Sequence, residues 1–203
     1  MPVVKEREYR ALTAPLSVAA AAKRIQTDYY VEGYATTFNS PYLLFEFEDG
    51  WKVYERIDAH ALDGADMSDV IMQYDHTGRV FARTGKTKSL IVQPDNMGLF
   101  MCADLGRTDA ARSLYQDIEA ELITKMSWAF TVAKDCITED RDARTITRDI
   151  LEIKKVYDVS AVSRPANEET EISARNFATR SYEQIQAEYL EHRAKLLKIK
   201  TML

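Results

Sequence analysis

Three side chains of kinds suited to acyl-transfer chemistry occur along this chain in the order His, Ser, Asp. His76 follows a short apolar run, Ser127 comes about fifty residues later, and Asp158 about thirty residues after that. A hydroxyl becomes an effective nucleophile when a neighbouring base takes its proton, and an imidazole serves as that base when a third group orients it. Each residue also has a plainer reading. Ser127 reads equally as a half-buried strand serine, and a histidine at a strand end is commonly structural. Asp158 has Lys154 and Lys155 close by as ion-pair partners, or a turn to cap.

Other chemistries find less support. His60 sits in a loop after Asp58 and His192 in a charged C-terminal segment, and both read as surface residues. There is no His-x-x-x-His, no Cys-x-x-Cys and no EF-hand-like carboxylate cluster, so no metal site is expected. The seven glycines are spread singly, without a phosphate-binding loop, and no cofactor is expected. Nothing singles out two of the 32 acids as a glycosidase pair. Cys102 and Cys136 stand apart in apolar, strand-like contexts and read as buried free thiols.

A net charge of −5 with no basic patch outside the C-terminal segment argues against nucleic acid as a partner. No stretch approaches the ~20 apolar residues of a membrane span, and no signal-peptide core is apparent, so the expectation is a cytosolic protein without a membrane partner. With 203 residues, 46% apolar and 29% charged, one globular domain with tails is expected.

The elements that must position these side chains are mostly strands. Thr124 to Val132 alternates, with Met126, Trp128, Phe130 and Val132 on one face and Ser127, Ala129 and Thr131 on the other. Strands are also expected at Val31 to Phe38, Val70 to Tyr74, Ser89 to Gln93, Leu99 to Leu105, Thr145 to Ile153 and Val156 to Val162, with an edge strand starting at Tyr9 to Leu12. Tyr42 to Phe47 and Trp51 to Ile57 read as a hairpin turning at Glu48-Asp49-Gly50, and Thr138 to Ala143 reads as a solvated turn. One strong internal helix begins at Thr108 as its cap, with Ala110, Leu114, Ile118 and Leu122 at helical spacing. A second, charged helix over 181–200 carries Tyr182, Ile185, Tyr189, Arg193 and Leu196 as a thin stripe. The pattern predicts a β-dominated fold, a closed barrel wrapped by helices, divided into an N-terminal arm (1–28), a barrel domain (29–170) and a charged helical tail (171–203).

Several short runs, taken in order, resemble a known family: Glu32-Gly33-Tyr34-Ala35, Glu55-Arg56-Ile57, Tyr74-Asp75-His76, Asp95-Asn96-Met97-Gly98-Leu99, Lys125-Met126-Ser127-Trp128-Ala129-Phe130, and Tyr157 to Ala166. Together they are similar to the HK97-type phage prohead (capsid maturation) proteases, which in turn resemble the herpesvirus assemblins. The resemblance covers about 30–170. It implies an assemblin-like barrel and a serine peptidase in which Ser127 is the nucleophile, His76 the base and Asp158 the orienting acid. Asp158 stands where the family has Glu, one methylene longer. Asp75 precedes His76 where the family has Asn, so Asp75 competes weakly for the orienting role. The Ser163-Arg164 segment is a further candidate by loose analogy with the assemblins.

The resemblance further implies cleavage of scaffold segments and the major capsid protein inside the immature capsid in the host cytoplasm, self-cleavage, and a homo-oligomer, dimer or higher. The alternative is a non-enzymatic capsid assembly or scaffold protein on the same fold.

Overall fold

The computed structural model describes residues 7–18, 22–163, 179, 182–188, 190–191 and 193–195. In chain order these contain β1 (Glu8–Pro15), β2 (Tyr30–Thr37), β3 (Tyr42–Glu46), β4 (Lys52–Ile57), β5 (Ile71–Tyr74), β6 (Thr77–Arg83), β7 (Leu90–Pro94), β8 (Gly98–Asp104), α1 (Asp109–Glu119), β9 (Lys125–Asp140) and β10 (Thr145–Val162). A C-terminal helix includes residues 182–188.

The strands form two sheets. The larger runs β1-β9-β10-β4-β3, with β5 also paired to β10 and β6 paired to β5; the smaller runs β2-β8-β7. Its spine is the long antiparallel ribbon of β9 and β10. β10 pairs in parallel with β4 over its first part (Thr145↔Lys52 to Ile150↔Ile57) and with β5 over its last (Asp158↔Ile71, Ala161↔Tyr74). Register shifts between Ile150 and Asp158 separate the two stretches. Such bulges bend a strand and increase its twist, which lets one strand serve two partners in succession.

Both sheets and α1 bury their apolar faces in one core. Val31, Leu99 and Met101 from the small sheet and Leu105 just past β8 meet Met126, Trp128, Phe130, Val156, Val159 and Ala161 from the large one, with Ala111, Leu114 and Ile118 from the helix. The Trp128 and Phe130 rings stack at 4.1 Å. Fully burying a side chain of the Phe class contributes roughly 1.5–3 kcal/mol, so this pair is a substantial part of what holds the ribbon against the core.

The β-dominated class and the edge strand near Tyr9 agree with the sequence reading. No closed barrel is found among the described residues, where strand pairing gives two sheets. Between β1 and β2 there is only the isolated Ser17↔Glu32 bridge, and β6 is paired to β5 alone. β6 itself is absent from the sequence reading because its run Thr-Gly-Arg-Val-Phe-Ala-Arg is mostly exposed and lacks apolar alternation. Of the turn expected at Thr138 to Ala143, Thr138 to Asp140 is the end of β9, which pairs with β10 as far as Asp140↔Thr145, and the exposed turn itself begins at Arg141. In α1 the buried stripe is Ala111, Leu114 and Ile118, and Leu122 lies past the helix end with 72% of its surface exposed. Cys102 is a buried free thiol as expected, whereas Cys136 is exposed.

In the C-terminal helix Tyr182 stacks on Phe47 at 4.5 Å and Ile185 packs with Trp51, Val53 and Ile146. The Tyr182 hydroxyl donates to Asp49 Oδ2 at 2.6 Å. Tyr189, His192 and Leu196 lie outside the described residues, as does Arg164.

Candidate active site

Ser127 is the third residue of β9 and points to the face opposite Met126 and Trp128. Its antiparallel partner on β10 is Ser160, and Asp158 pairs with Ala129. Residues two apart on a strand share a face, so Ser127, Ala129, Asp158 and Ser160 form one patch on the ribbon away from the core.

His76 reaches this patch from the β5–β6 hairpin. Tyr74 pairs with Thr77, leaving Asp75 and His76 as a two-residue loop. Both have positive φ, 48° and 57°. A two-residue hairpin with two left-handed residues is a type I′ turn, whose twist matches that of the strands it joins. Asp and His tolerate this conformation better than most residues, though at some cost relative to Gly. The turn is clamped to the end of β10: Asp75 N–H donates to the Ala161 carbonyl at 3.0 Å, and the Asp75 carboxylate accepts from Ser163 N–H and Oγ–H, both at 3.0 Å. Asp75 is thus engaged with Ser163 rather than with the imidazole.

His76 Nε2 lies 2.6 Å from Ser127 Oγ, and Nδ1 lies 2.5 Å from Asp158 Oδ1. The Asp158 oxygen that faces the imidazole also accepts from Ser160 Oγ–H at 2.7 Å. A buried carboxylate is costly unless it is paired, and these two contacts both engage Oδ1. Ser127 Oγ has a second neighbour, the Arg10 carbonyl oxygen at 2.9 Å. The Tyr9 ring meets the imidazole edge to face at 4.8 Å. The His76 and Asp158 side chains are 1% and 2% exposed, and Ser127 is 1% exposed.

The three residues singled out in the sequence therefore lie in contact, Ser to His to Asp. His60 does not join them. It is exposed, with Nδ1 3.1 Å from Asp63 Oδ2 in a surface turn. Ser160 and the pairing of β1 with β9 are the parts of the site that sequence reading missed. Ser160 carried a signal, since it stands two residues after the acid on a strand and must share its face. The edge strand near Tyr9 was read, but its place beside Ser127 carried no signal, because strand pairing between positions more than a hundred residues apart leaves no local trace.

Beneath the β1 end of the site lies a buried ionic network. Glu55 on β4, fully buried, accepts from Arg10 Nε at 2.6 Å and Nη2 at 2.8 Å, from Arg148 Nη1 at 3.0 Å and from the Tyr42 hydroxyl at 2.5 Å. Glu8 bridges the same two arginines, with Arg10 at 2.6 Å and Arg148 at 2.6 and 2.9 Å. Burial alone would raise the Glu8 carboxyl, but the two guanidinium groups outweigh it and hold it below its ordinary value. Burial and the adjacent Glu55 charge push the Tyr42 hydroxyl well up.

Among the described residues no cluster of three or more His, Cys, Asp or Glu side chains is placed to hold a metal, and no helix is long and apolar enough to cross a membrane. The model of one family, described as Caudovirus prohead serine protease, matches residues 17–187. The chain belongs to that family. Its members are serine peptidases of phage capsid maturation, so the chain falls in the serine hydrolases. No curated protein and no solved structure matches the chain.

Proposed function

We propose that this chain is a serine endopeptidase in which Ser127 is the nucleophile, His76 the general base and acid, and Asp158 the group that orients the imidazole. The observation that carries this reading is the unbroken contact from Ser127 Oγ through both ring nitrogens of His76 to Asp158, at 2.6 and 2.5 Å, among side chains almost wholly removed from water. With Nδ1–H donated to Asp158, Nε2 is free to take the hydroxyl proton as Oγ attacks a peptide carbonyl. The same proton then goes to the leaving amine, and a water repeats the sequence on the acyl-enzyme. Asp158, short as it is, suffices because the parallel pairing of β5 with β10 brings the His76 turn onto the strand that carries the acid.

In this reading the substrates are scaffold segments and the major capsid protein inside the immature capsid, and the enzyme also cleaves itself. The two sheets around their common core stand for an assemblin-like barrel whose seams lie at β1–β2 and β6–β7. Weak association into a dimer or higher oligomer would confine activity to the capsid by mass action.

The test is co-expression with the capsid protein. Ser127→Ala and His76→Ala each leave the far-ultraviolet spectrum intact and abolish processing, since loss of either member of such a unit costs on the order of 10⁶-fold. Normal processing by Ser127→Ala protein overturns the assignment.

A further inference from the structure

Strand β1 occupies the side of β9 on which the nucleophile lies. Ala11 pairs with Ser127, Arg10 with Trp128 and Tyr9 with Ala129. The Arg10 carbonyl sits 2.9 Å from Ser127 Oγ, and the Tyr9 ring covers the imidazole. The hydroxyl has one proton and two acceptors, Nε2 and this carbonyl. A substrate carbonyl must reach Oγ, yet Ser127 is 1% exposed and the place beside it is filled by a main-chain carbonyl of the chain itself.

We infer that β1 stands in the place of an extended substrate strand, and that catalysis requires β1 to leave β9 and the substrate backbone to pair there instead. The inference rests on Ser127 being the nucleophile. An extended peptide added to a sheet edge supplies the same ladder hydrogen bonds that β1 supplies, so the exchange replaces like with like.

The construction around β1 allows it to detach. It is the edge strand of the large sheet, so its departure leaves the β9–β10 pairing intact. Its downstream end is tied separately, by Leu16 N–H to the Thr124 carbonyl at 3.0 Å and by the Ser17–Glu32 pair, which leaves a hinge there. Its two charges in the network, the buried Arg10 and the partly buried Glu8, pair with each other and can move out together. What they leave behind remains compensated: Glu55 keeps Arg148 at 3.0 Å and the Tyr42 hydroxyl, and Arg148 keeps Asp135 at 2.6 Å. The bonds of Arg10 to Glu55 and of Glu8 to Arg148 act as a latch that sets how often the strand opens.

Two measurements on the full chain test this. The first is the rate at which a fluorophosphonate probe labels Ser127 in the parent and in Glu8→Ala protein, which loses half of the latch and touches no member of the Ser-His-Asp set. If labelling proceeds through open β1, the variant labels at least tenfold faster; an equal or slower rate overturns the strand exchange. The second is amide hydrogen exchange in the parent. The β1 amides bonded to β9 exchange at least 100-fold faster than the β9 amides bonded to β10, as expected of a locally opening unit. Equal protection of the two sets means that β1 leaves only on global unfolding, and overturns the inference even if Glu8→Ala protein does not fold. Absence of labelling in both proteins removes the nucleophile itself, an outcome distinct from unchanged labelling, which removes only the role of β1.

Discussion

Replacing Asp158 by Asn changes one oxygen to nitrogen at the deepest point of the site and leaves the volume unchanged. As the Ser127 proton moves to His76, the imidazole becomes a cation directly against the Asp158 carboxylate. Two unit charges about 4 Å apart at an effective dielectric of about 20 attract by roughly 4 kcal/mol. At about 1.4 kcal/mol per factor of ten, losing that attraction slows the step by about 10³-fold. An Asn that presents its NH₂ to Nδ1 also imposes the tautomer with Nε2 protonated, which cannot accept the Ser127 proton. The corresponding change in a well-studied serine protease costs ~10⁴-fold. The expected loss is therefore 10³ to 10⁴ in the fluorophosphonate labelling rate and in capsid-protein processing, with the melting temperature close to that of the parent. Asp158→Glu retains the charge and the larger share of activity, limited by fitting a methylene where the side chain is 2% exposed. Asp158→Asn protein within tenfold of the parent refutes the orienting role and leaves His76 and Ser127 as a dyad.

Two predictions concern the network that holds β1. Glu55→Gln puts an NH₂ group against guanidinium donors on a fully buried side chain, because each carboxylate oxygen already accepts from an arginine. Breaking a buried ion pair in this way costs about 3–5 kcal/mol, or roughly 6–20 °C in melting temperature for a chain of this size. Urea unfolding with an unchanged m-value checks this, and a loss under about 1 kcal/mol contradicts it. Glu8, held below its ordinary value of 4.5, stabilises the fold fully above that pH and loses this contribution as pH falls through the lowered value. Glu8→Gln should therefore be less stable at pH 7 and lose less stability than the parent between about pH 5 and 2, as followed by thermal melts; parallel pH profiles contradict this.

That His76, Ser127 and Asp158 come into contact was legible because their types, order and strand contexts survive in one dimension. The strand bearing Met126, Trp128 and Phe130 was legible by its alternation, and the α1 start by Thr108, whose hydroxyl accepts from Ala111 N–H. β6 was not, since an exposed strand needs no apolar period. Nor was the path of β10, which the sequence divides at Lys154 and Lys155 while the structure carries it through bulges as one strand. The Asp95 turn shows the same limit: Asp95 Oδ1 accepts from Met97 and Gly98 N–H, as its composition implies, but the need for Gly at 98 comes from Thr36 O, 1.9 Å from where a Cβ would stand. The role of Glu55 was hidden for a related reason. One acid on an alternating strand looks solvent-facing until Arg10 and Arg148 arrive from distant parts of the chain.

The central claim is that Ser127 is a hydroxyl activated by His76. The most direct measurement is exhaustive reaction of the purified full chain with a fluorophosphonate, followed by intact-mass and peptide-mapping spectrometry. The account predicts a single adduct, located on Ser127, formed by the parent and by His60→Ala protein and lost in His76→Ala protein. No adduct, an adduct on another residue, or undiminished labelling without His76 contradicts it.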